Sequence, residues 1–374
     1  MPSSEPSLLI AMIGTRGVPA RYSGFETAVE EIGTRLAERG HTIVVYCRNP
    51  GQKIVEYQGM HLVNLPALRR RSLETLSHTA LSVAHAATRR PDMAFVFNAA
   101  NAPLLPILRA SRIPVAVHVD GLEWQRAKWQ GTGRRYYMWA ERVCARSGLD
   151  LIADSRGIKN HLRSAYDVES HFIPYGAPIL AAGSSRLGEL SLEARRFHLV
   201  VARLEPENHV LEIVRGYVAS RAVHPLVVVG SAPYGEEYIE RVRQAANDDP
   251  RVRLLGGLFD QELLDQLYGN AASYVHGHSV GGTNPSLLRA LGAGATPIAY
   301  DVPFNREVAG DDGEYFTTPD DLGPLLRLAE TDQAAWHARG VRLRDRMSEL
   351  YRWDHVADSY EQLARDVATK SKRQ

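Results

Sequence analysis

The alternation of apolar runs with stretches of helical period constrains this chain more than any other feature. Leu8 to Ile13 is an unbroken apolar run, the pattern of a strand buried on both faces. Ser23 with Glu26 three residues on is a capping-box signature, and the helical spacing beyond it runs to about Arg39. Gly40 closes the helix, and Thr42 to Cys47 (TIVVYC) is a second apolar run. Strand, helix and strand in this order make one βαβ unit, which requires a parallel sheet.

The alternation continues to the C-terminus. His61–Leu65, Met93–Phe97, Pro114–Val119 and Leu149–Ala153 read as strands, with helices over Leu73–Ala87, Asn101–Ala110 and Arg134–Arg146 and another from Asp154-Ser155; His171–Ile173 closes the series. Residues 174–194 are rich in Gly, Pro, Ala and Ser without a clear period and read as a linker. A second series begins at Phe197–Ala202 and includes strands Pro225–Gly230, Val252–Leu255, Ser273–Gly277 and Thr296–Tyr300, after which three helical segments finish the chain. The predicted fold class is α/β, with two doubly wound Rossmann-like domains, residues 1–180 and 195–350, facing a central cleft. Such sheets bind ligands at the carboxyl ends of their strands.

Composition narrows the function classes. A formal charge of +1 over 374 residues argues against a strongly basic nucleic-acid-binding surface. Cys47 and Cys144 cannot form a metal cluster by themselves, and Cys47 reads as a small buried hydrophobe. No targeting segment is visible and no stretch approaches the ~20 apolar residues of a membrane helix, so the expectation is a cytoplasmic protein, at most peripheral at the inner face of a membrane.

Two glycine-bearing turns carry the candidate chemistry. In AASYVHGHSVGGTNPSLLRALGAG (271–294) a strand leads through Gly281 and Gly282 to a helix with Asn284 at the N-cap and Pro285 at the first helical position. Close backbone approach, free N–H groups and the helix dipole suit a phosphate or diphosphate there; the alternative is an ordinary strand–loop–helix turn. Arg203 directly follows the strand FHLVVA, where a guanidinium can fork across phosphate oxygens; the alternative is a surface turn arginine. The earlier turn, Gly14-Thr15-Arg16-Gly17, is not G-x-G-x-x-G, and no G-x-x-x-x-G-K-[ST] occurs, which disfavours a dinucleotide oxidoreductase and excludes a P-loop NTPase. No D-x-D occurs, so no metal site is expected and positive charge at a diphosphate must come from arginine and helix ends. Asp120, Glu123 and Trp124 follow the strand PVAVHV, where a carboxylate can orient hydroxyls or take a proton and an indole can stack on a sugar; a helix cap and core packing are the alternatives. His118, inside that strand, reads as a core histidine.

Taken together, IGTRGVPARYSGFET (13–27), VDGLEWQRAKW (119–129), ADS (153–155), IPYGA (173–177), VARLEPEN (201–208) and HGHSVGGTNPSLLRALG (276–292) resemble the GT-B glycosyltransferases of the large retaining family 4. The nearest resemblance is to a subgroup that includes bacterial rhamnosyltransferases of polysaccharide assembly. The resemblance implies transfer of a sugar, rhamnose or another hexose, from a nucleotide-diphosphate donor to a hydroxyl of a glycan, a lipid-linked saccharide or a small metabolite. The nucleotide sugar is a substrate, and no cofactor is expected. Gly14, Arg16 and Gly17 would sit over the donor diphosphate and the acceptor, with Asp120 near the reacting sugar and Tyr22, Glu123 and Trp124 toward the acceptor. Arg203 matches the arginine of an R-x-x-x-x-K phosphate pattern whose lysine position is Asn208 here. The amides of Gly282, Thr283 and Asn284, after Gly281, would cap the diphosphate, and Leu258 and Phe259 would meet the base. A last helix, 354–370, would pack back on the first domain.

The chain also departs from the resemblance. Relatives carry two glutamates seven residues apart, which should fall near Gly281 and at Arg289; neither is glutamate. Arginine cannot accept the ribose hydrogen bonds that the second glutamate takes. Either Arg289 reaches back to the diphosphate and replaces the charge missing at Asn208, or ribose recognition is changed, or activity is lost. A degenerate, non-catalytic partner protein is therefore the competing reading, and a nucleotide-sugar epimerase is a third. Arg69-Arg70-Arg71 and Arg134-Arg135-Tyr136-Tyr137 are candidates for contact with anionic headgroups, against a solvated basic turn and an ordinary helix.

Overall fold

The computed structural model describes residues 6–20, 24–48, 51, 54–68, 74–119, 121–126, 129–231 and 236–372. It divides into two compact units, Met1–Tyr175 with Trp353–Gln374, and Gly176–Arg352.

The first unit contains β1 (Leu9–Ile13), α1 (Gly24–Glu38), β2 (Thr42–Cys47), β3 (Glu56–Tyr57), β4 (Met60–Asn64), α2 (Glu74–Arg89), β5 (Met93–Phe97), α3 (Leu105–Ala110), β6 (Val115–Val119), α4 (Gly131–Ala145), β7 (Asp150–Ala153), α5 (Arg156–Tyr166) and β8 (His171–Phe172). Its strands run β3-β4-β2-β1-β5-β6-β7-β8, parallel except for the β3–β4 hairpin. Every residue of β5 and β6 is buried, which is why MAFVF and VAVHV read as continuous apolar runs rather than alternating ones. The chain reverses direction across the sheet between β1 and β5, so the loops after these two strands meet at one carboxyl edge.

The second unit contains β9 (His198–Val201), α6 (Val210–Val218), β10 (Leu226–Val229), α7 (Glu236–Ala246), β11 (Val252–Gly256), α8 (Gln261–Asn270), β12 (Ser273–His276), α9 (Pro285–Gly292), β13 (Pro297–Tyr300), α10 (Pro303–Ala309), β14 (Glu314–Phe316), α11 (Pro319–Thr331) and α12 (Gln333–Leu350). Its order is β11-β10-β9-β12-β13-β14, all parallel, with the reversal between β9 and β12. The sequence reading omitted β14. Only three residues long and flanked by Gly313, it has no period to detect, and its register on β13 defines it.

Residues 176–194 are not a free linker. Ala177 N–H donates to Tyr351 O at 2.6 Å and Leu180 N–H to Gly292 O at 3.0 Å, so this segment lies against the second unit. A Cβ at Gly292 would meet Pro178 O at 2.0 Å, a contact only glycine permits. Its first residues pack backbone to backbone, whereas much of 181–194 is exposed.

The last helix, α13 (Trp353–Lys372), belongs to the first unit. Trp353, Val356, Tyr360, Leu363 and Val367 are all buried. Tyr360 meets Phe95 edge-on at 4.8 Å, and its hydroxyl lies 2.7 Å from His118 Nδ1. His118 is a core histidine, and burial pushes its pKa down to about 3, so it is neutral. Five large side chains, each contributing about 1.5–3 kcal/mol on burial, together rival the whole stability of a domain. Truncation after Tyr351 is therefore expected to abolish the cooperative melting of the first unit, and Tyr360→Phe to lower its stability by about 1–3 kcal/mol through the lost hydroxyl partner of His118. Calorimetry of both variants checks this; a truncated chain with parental melting would contradict it.

Candidate functional site

In the second unit the loops after β9, β12 and β13 are fastened to one another at the carboxyl edge of the sheet. After β9 the chain turns through Arg203 to Asn208. Asn208 is buried and its Nδ2 donates to Arg203 O at 2.8 Å, which closes the turn. A Cβ on Gly277, just past β12, would lie 2.1 Å from Asn208 O, so the two loops touch backbone to backbone. Ser279 donates to Glu207 O through its N–H (3.0 Å) and its Oγ (3.1 Å). His209 accounts for the next fastening: its Nδ1 lies 2.8 Å from Gly277 O, which fixes the proton on Nδ1, and its ring stacks on Tyr300 at 4.0 Å. From α10, Asn305 Nδ2 donates to both His278 O and Tyr300 O.

The loop through Gly281 (φ +136°), Gly282 and Thr283 ends at α9. Asn284 is the N-cap and Pro285 the first helical residue, as the sequence predicts. Asn284 Oδ1 accepts from Ser286 N–H at 2.9 Å and from Ser286 Oγ at 2.7 Å, and Tyr274 OH supports Ser286 Oγ at 3.0 Å. Beneath the loop, His276 is buried and stacked on His278 at 4.3 Å; burial lowers its pKa to about 3, so it adds no charge.

Two arginines in this unit differ sharply. Among the described residues, the Arg203 side chain, 41% exposed, pairs only with Glu205, at 3.4 Å and with a long hydrogen bond of 3.5 Å. Such a pair is worth little and yields easily to another anion. Arg289 on α9 is instead forked onto Asp265 of α8, Nε–Oδ1 at 2.7 Å and Nη2–Oδ2 at 2.8 Å, with the two side chains only 24% and 20% exposed. Its charge is already matched. The expectation that Arg289 supplies the charge absent at Asn208 therefore meets a guanidinium engaged elsewhere. Sequence reasoning missed Asp265, because adjacency of α8 and α9 is tertiary information. Leu258 is half-buried after β11, while Phe259 beside it is 81% exposed. With β10 lying between β11 and β9, the strand they follow is about 12 Å from the switch point between β9 and β12.

In the first unit, Gly14 (φ +105°) follows β1, and a Cβ there would meet Phe97 O at 2.4 Å, so the turn fits against the end of β5. Arg48, at the end of β2, donates from Nη2 to Gly14 O at 3.1 Å. Sequence reading passed over it, although a cation at a strand's carboxyl end is the criterion that selected Arg203. Arg16 N–H donates to Glu26 Oε1 at 2.9 Å, so Glu26 serves the glycine turn; its capping partner Ser23 lies outside the described residues. The Arg16 side chain is 3.8 Å from Glu74. Gly17 lies over Cys47. Tyr22 and Asp120 fall outside the described residues. Glu123 is held by Arg126 at 2.5 Å and by Trp129 Nε1 at 3.0 Å, and Trp124 Nε1 donates to Glu141 at 3.0 Å, so both brace the loop after β6.

Among the described residues, the group of metal-ligand type is His198, His224 and Glu330, at the amino edge of the second sheet. There Glu330 Oε1 already accepts from the backbone N–H groups of Val223 and His224, both 2.8 Å, and lies 3.2 Å from His198 Nε2. It works as a hydrogen-bond hub on the edge opposite the candidate site.

Residues 23–176 match the family model described as "Glycosyl transferase 4-like domain". Sucrose-phosphate synthase from Thermosynechococcus elongatus superposes with a TM-score of 0.84 at 19% identity, over 96% of this chain and 99% of that one. The chain has the GT-B fold. Anabaena HepE in complex with UDP has a TM-score of 0.77 at 15% identity (97% and 100% covered). The GT-B likeness extends to α,α-trehalose 6-phosphate synthase from Burkholderia multivorans, TM-score 0.73 at 12% identity (98% and 100% covered). No curated protein shares significant sequence similarity with the chain.

The contrast between the arginines has a direct consequence for stability. Asp265→Ala strands a partly buried guanidinium and is expected to lower the stability of the second unit by about 1–2 kcal/mol, between the values for buried charged hydrogen bonds and exposed pairs. Glu205→Ala is expected to change it by less than about 0.5 kcal/mol. Urea denaturation of the two variants checks the order, and equal effects would contradict it.

Proposed function

We propose that the chain is a glycosyltransferase moving a sugar from a nucleotide-diphosphate donor to a hydroxyl acceptor. The observation that carries this reading is the placement of a weakly held Arg203 at the same switch point as the loop that enters α9. Following the family resemblance, we assign the loop amides of Gly282, Thr283 and Asn284 to the diphosphate; Pro285 has no N–H and Ser286 N–H is taken by Asn284. Arg203 adds the cation, and together they stabilise the leaving diphosphate as its charge develops. The glycosyl transferase 4-like match and the solved complexes of HepE with UDP and with UDP-glucose support a nucleotide-sugar donor. We assign the base to Phe259 and Leu258.

In the first unit, we assign Gly14, Arg16 and Gly17 to the donor and Tyr22 to the acceptor, with Asp120 at the reacting sugar. Glu123 and Trp124 then position the loop that carries Asp120 rather than touch the acceptor. Retention, a hexose or rhamnose donor and a glycan or lipid-linked acceptor follow from the family resemblance, and metal independence from the absence of a D-x-D pair. A second reading, a degenerate protein that binds without turnover, is favoured by one observation: Arg289 is held by Asp265, leaving the diphosphate site one cation short.

Titration with UDP and dTDP tests the assignment. Arg203→Ala is expected to weaken binding by about 1.5–3 kcal/mol, and lysine to recover only part because it cannot fork. Arg289→Ala is expected to leave affinity nearly unchanged; the reverse order would remove Arg203 from the site. Purified protein is expected to consume a nucleotide sugar in excess EDTA. Binding without turnover on any donor–acceptor pair would establish the second reading.

A further inference from the structure

Helix α4 presents a cationic face interrupted by apolar side chains. Arg135, Met138, Trp139, Arg142 and Arg146, the last just past the helix end, are all exposed. At 3.6 residues per turn they fall within an arc of about 100° and along about 17 Å. Trp139 is 50% and Met138 44% exposed, a large apolar area for an unpartnered surface helix. Of the run Arg134-Arg135-Tyr136-Tyr137, the other three turn elsewhere: Arg134 lies over Trp124, Tyr136 OH donates to Ala100 O, and Tyr137 packs on Trp129.

Among the described residues, no ion pair engages Arg135, Arg142 or Arg146. The acid on the same helix, Glu141, is buried and held by Trp124, His161 and Tyr166. A groove of about 410 Å³ opens between α4 and α3, walled by Leu105, Pro106, Val143 and Trp139 and rimmed by Arg109, Arg142 and Arg146. The chain is otherwise nearly neutral, so this clustering is local.

The occupant must be anionic at the rim and apolar at the centre. Nucleic acid offers the first without aliphatic surface, whereas an anionic bilayer offers both within a few ångströms of depth. We propose that this face of the first unit docks on an anionic lipid surface, with the arginines at the phosphates and Trp139 and Met138 entering the headgroup boundary. Among the described residues no helix is long and apolar enough to cross a membrane, so the contact is lateral. The inference rests on α4 and its neighbours and stands or falls separately from the sugar-transfer reading.

Cosedimentation of the full chain with vesicles of phosphatidylcholine, pure or mixed with an equal part of phosphatidylglycerol, tests it. Binding is expected to the mixed vesicles alone and to fall with added salt. The double variant R142E/R146E is expected to bind at least roughly tenfold more weakly, since each basic residue near such a surface contributes a comparable electrostatic increment. Trp139→Ala is expected to remove fluorescence quenching by brominated lipid. Unchanged circular dichroism and melting verify that these exposed substitutions leave the fold intact. No binding to mixed vesicles at low salt, or undiminished binding by the double variant, would overturn the proposal. A dimer in sedimentation velocity that the double variant loses would assign the face to a second copy and overturn it as well.

Discussion

The backbone contact between Gly277 and Asn208 is the constraint on which the second unit's site depends. Parallel strands alone bring loop ends to one edge, but they leave those loops free to splay. Here the strand end after β12 passes so close to the turn after β9 that no side chain fits between them. Ser279 on Glu207, and His209 on Gly277 and Tyr300, then hold the turn in register. These contacts hold the backbone turn that carries Arg203 against the loop that leads to α9. Preorganisation of this kind would lower the ordering cost of an anion bound as we propose.

Within that edge, the distribution of charge decides roles. Arg203 and Arg289 are the same residue type in the same unit, yet geometry separates them. A 3.4 Å contact at a half-exposed position leaves Arg203 available. A bidentate pair with Asp265 at 2.7 and 2.8 Å occupies the Arg289 fork. A carboxylate on one neighbouring helix thus answers a charge that the sequence alone places as though it faced the ligand.

Much of the fold was legible because buried parallel strands read as unbroken apolar runs and their helices carry a 3.6-residue period. The doubly wound series, the Asn284–Pro285 helix start and the buried stripe of α13 all follow from those two patterns. What escaped was set by tertiary contact. β14 has three residues, and only its partner β13 defines it. Residues 176–194 look like a linker because glycine and proline also serve where backbones pack closely, as Gly292 against Pro178 shows. The Arg289–Asp265 pair joins positions 24 apart in sequence through the packing of α8 on α9, which no local pattern encodes. Arg48 was legible and overlooked.

The anion site that we propose depends on the close approach of the β9 and β12 loops. Gly277→Ala tests it most directly. A methyl group there must push the loops apart, and overpacking of about 1–3 kcal/mol corresponds to a loss of roughly five- to hundredfold if it is felt at the site. Isothermal titration of the variant with UDP and dTDP is expected to show that loss while the first unit melts as in the parent. A variant that melts as the parent in both units and binds either diphosphate as tightly would contradict the account.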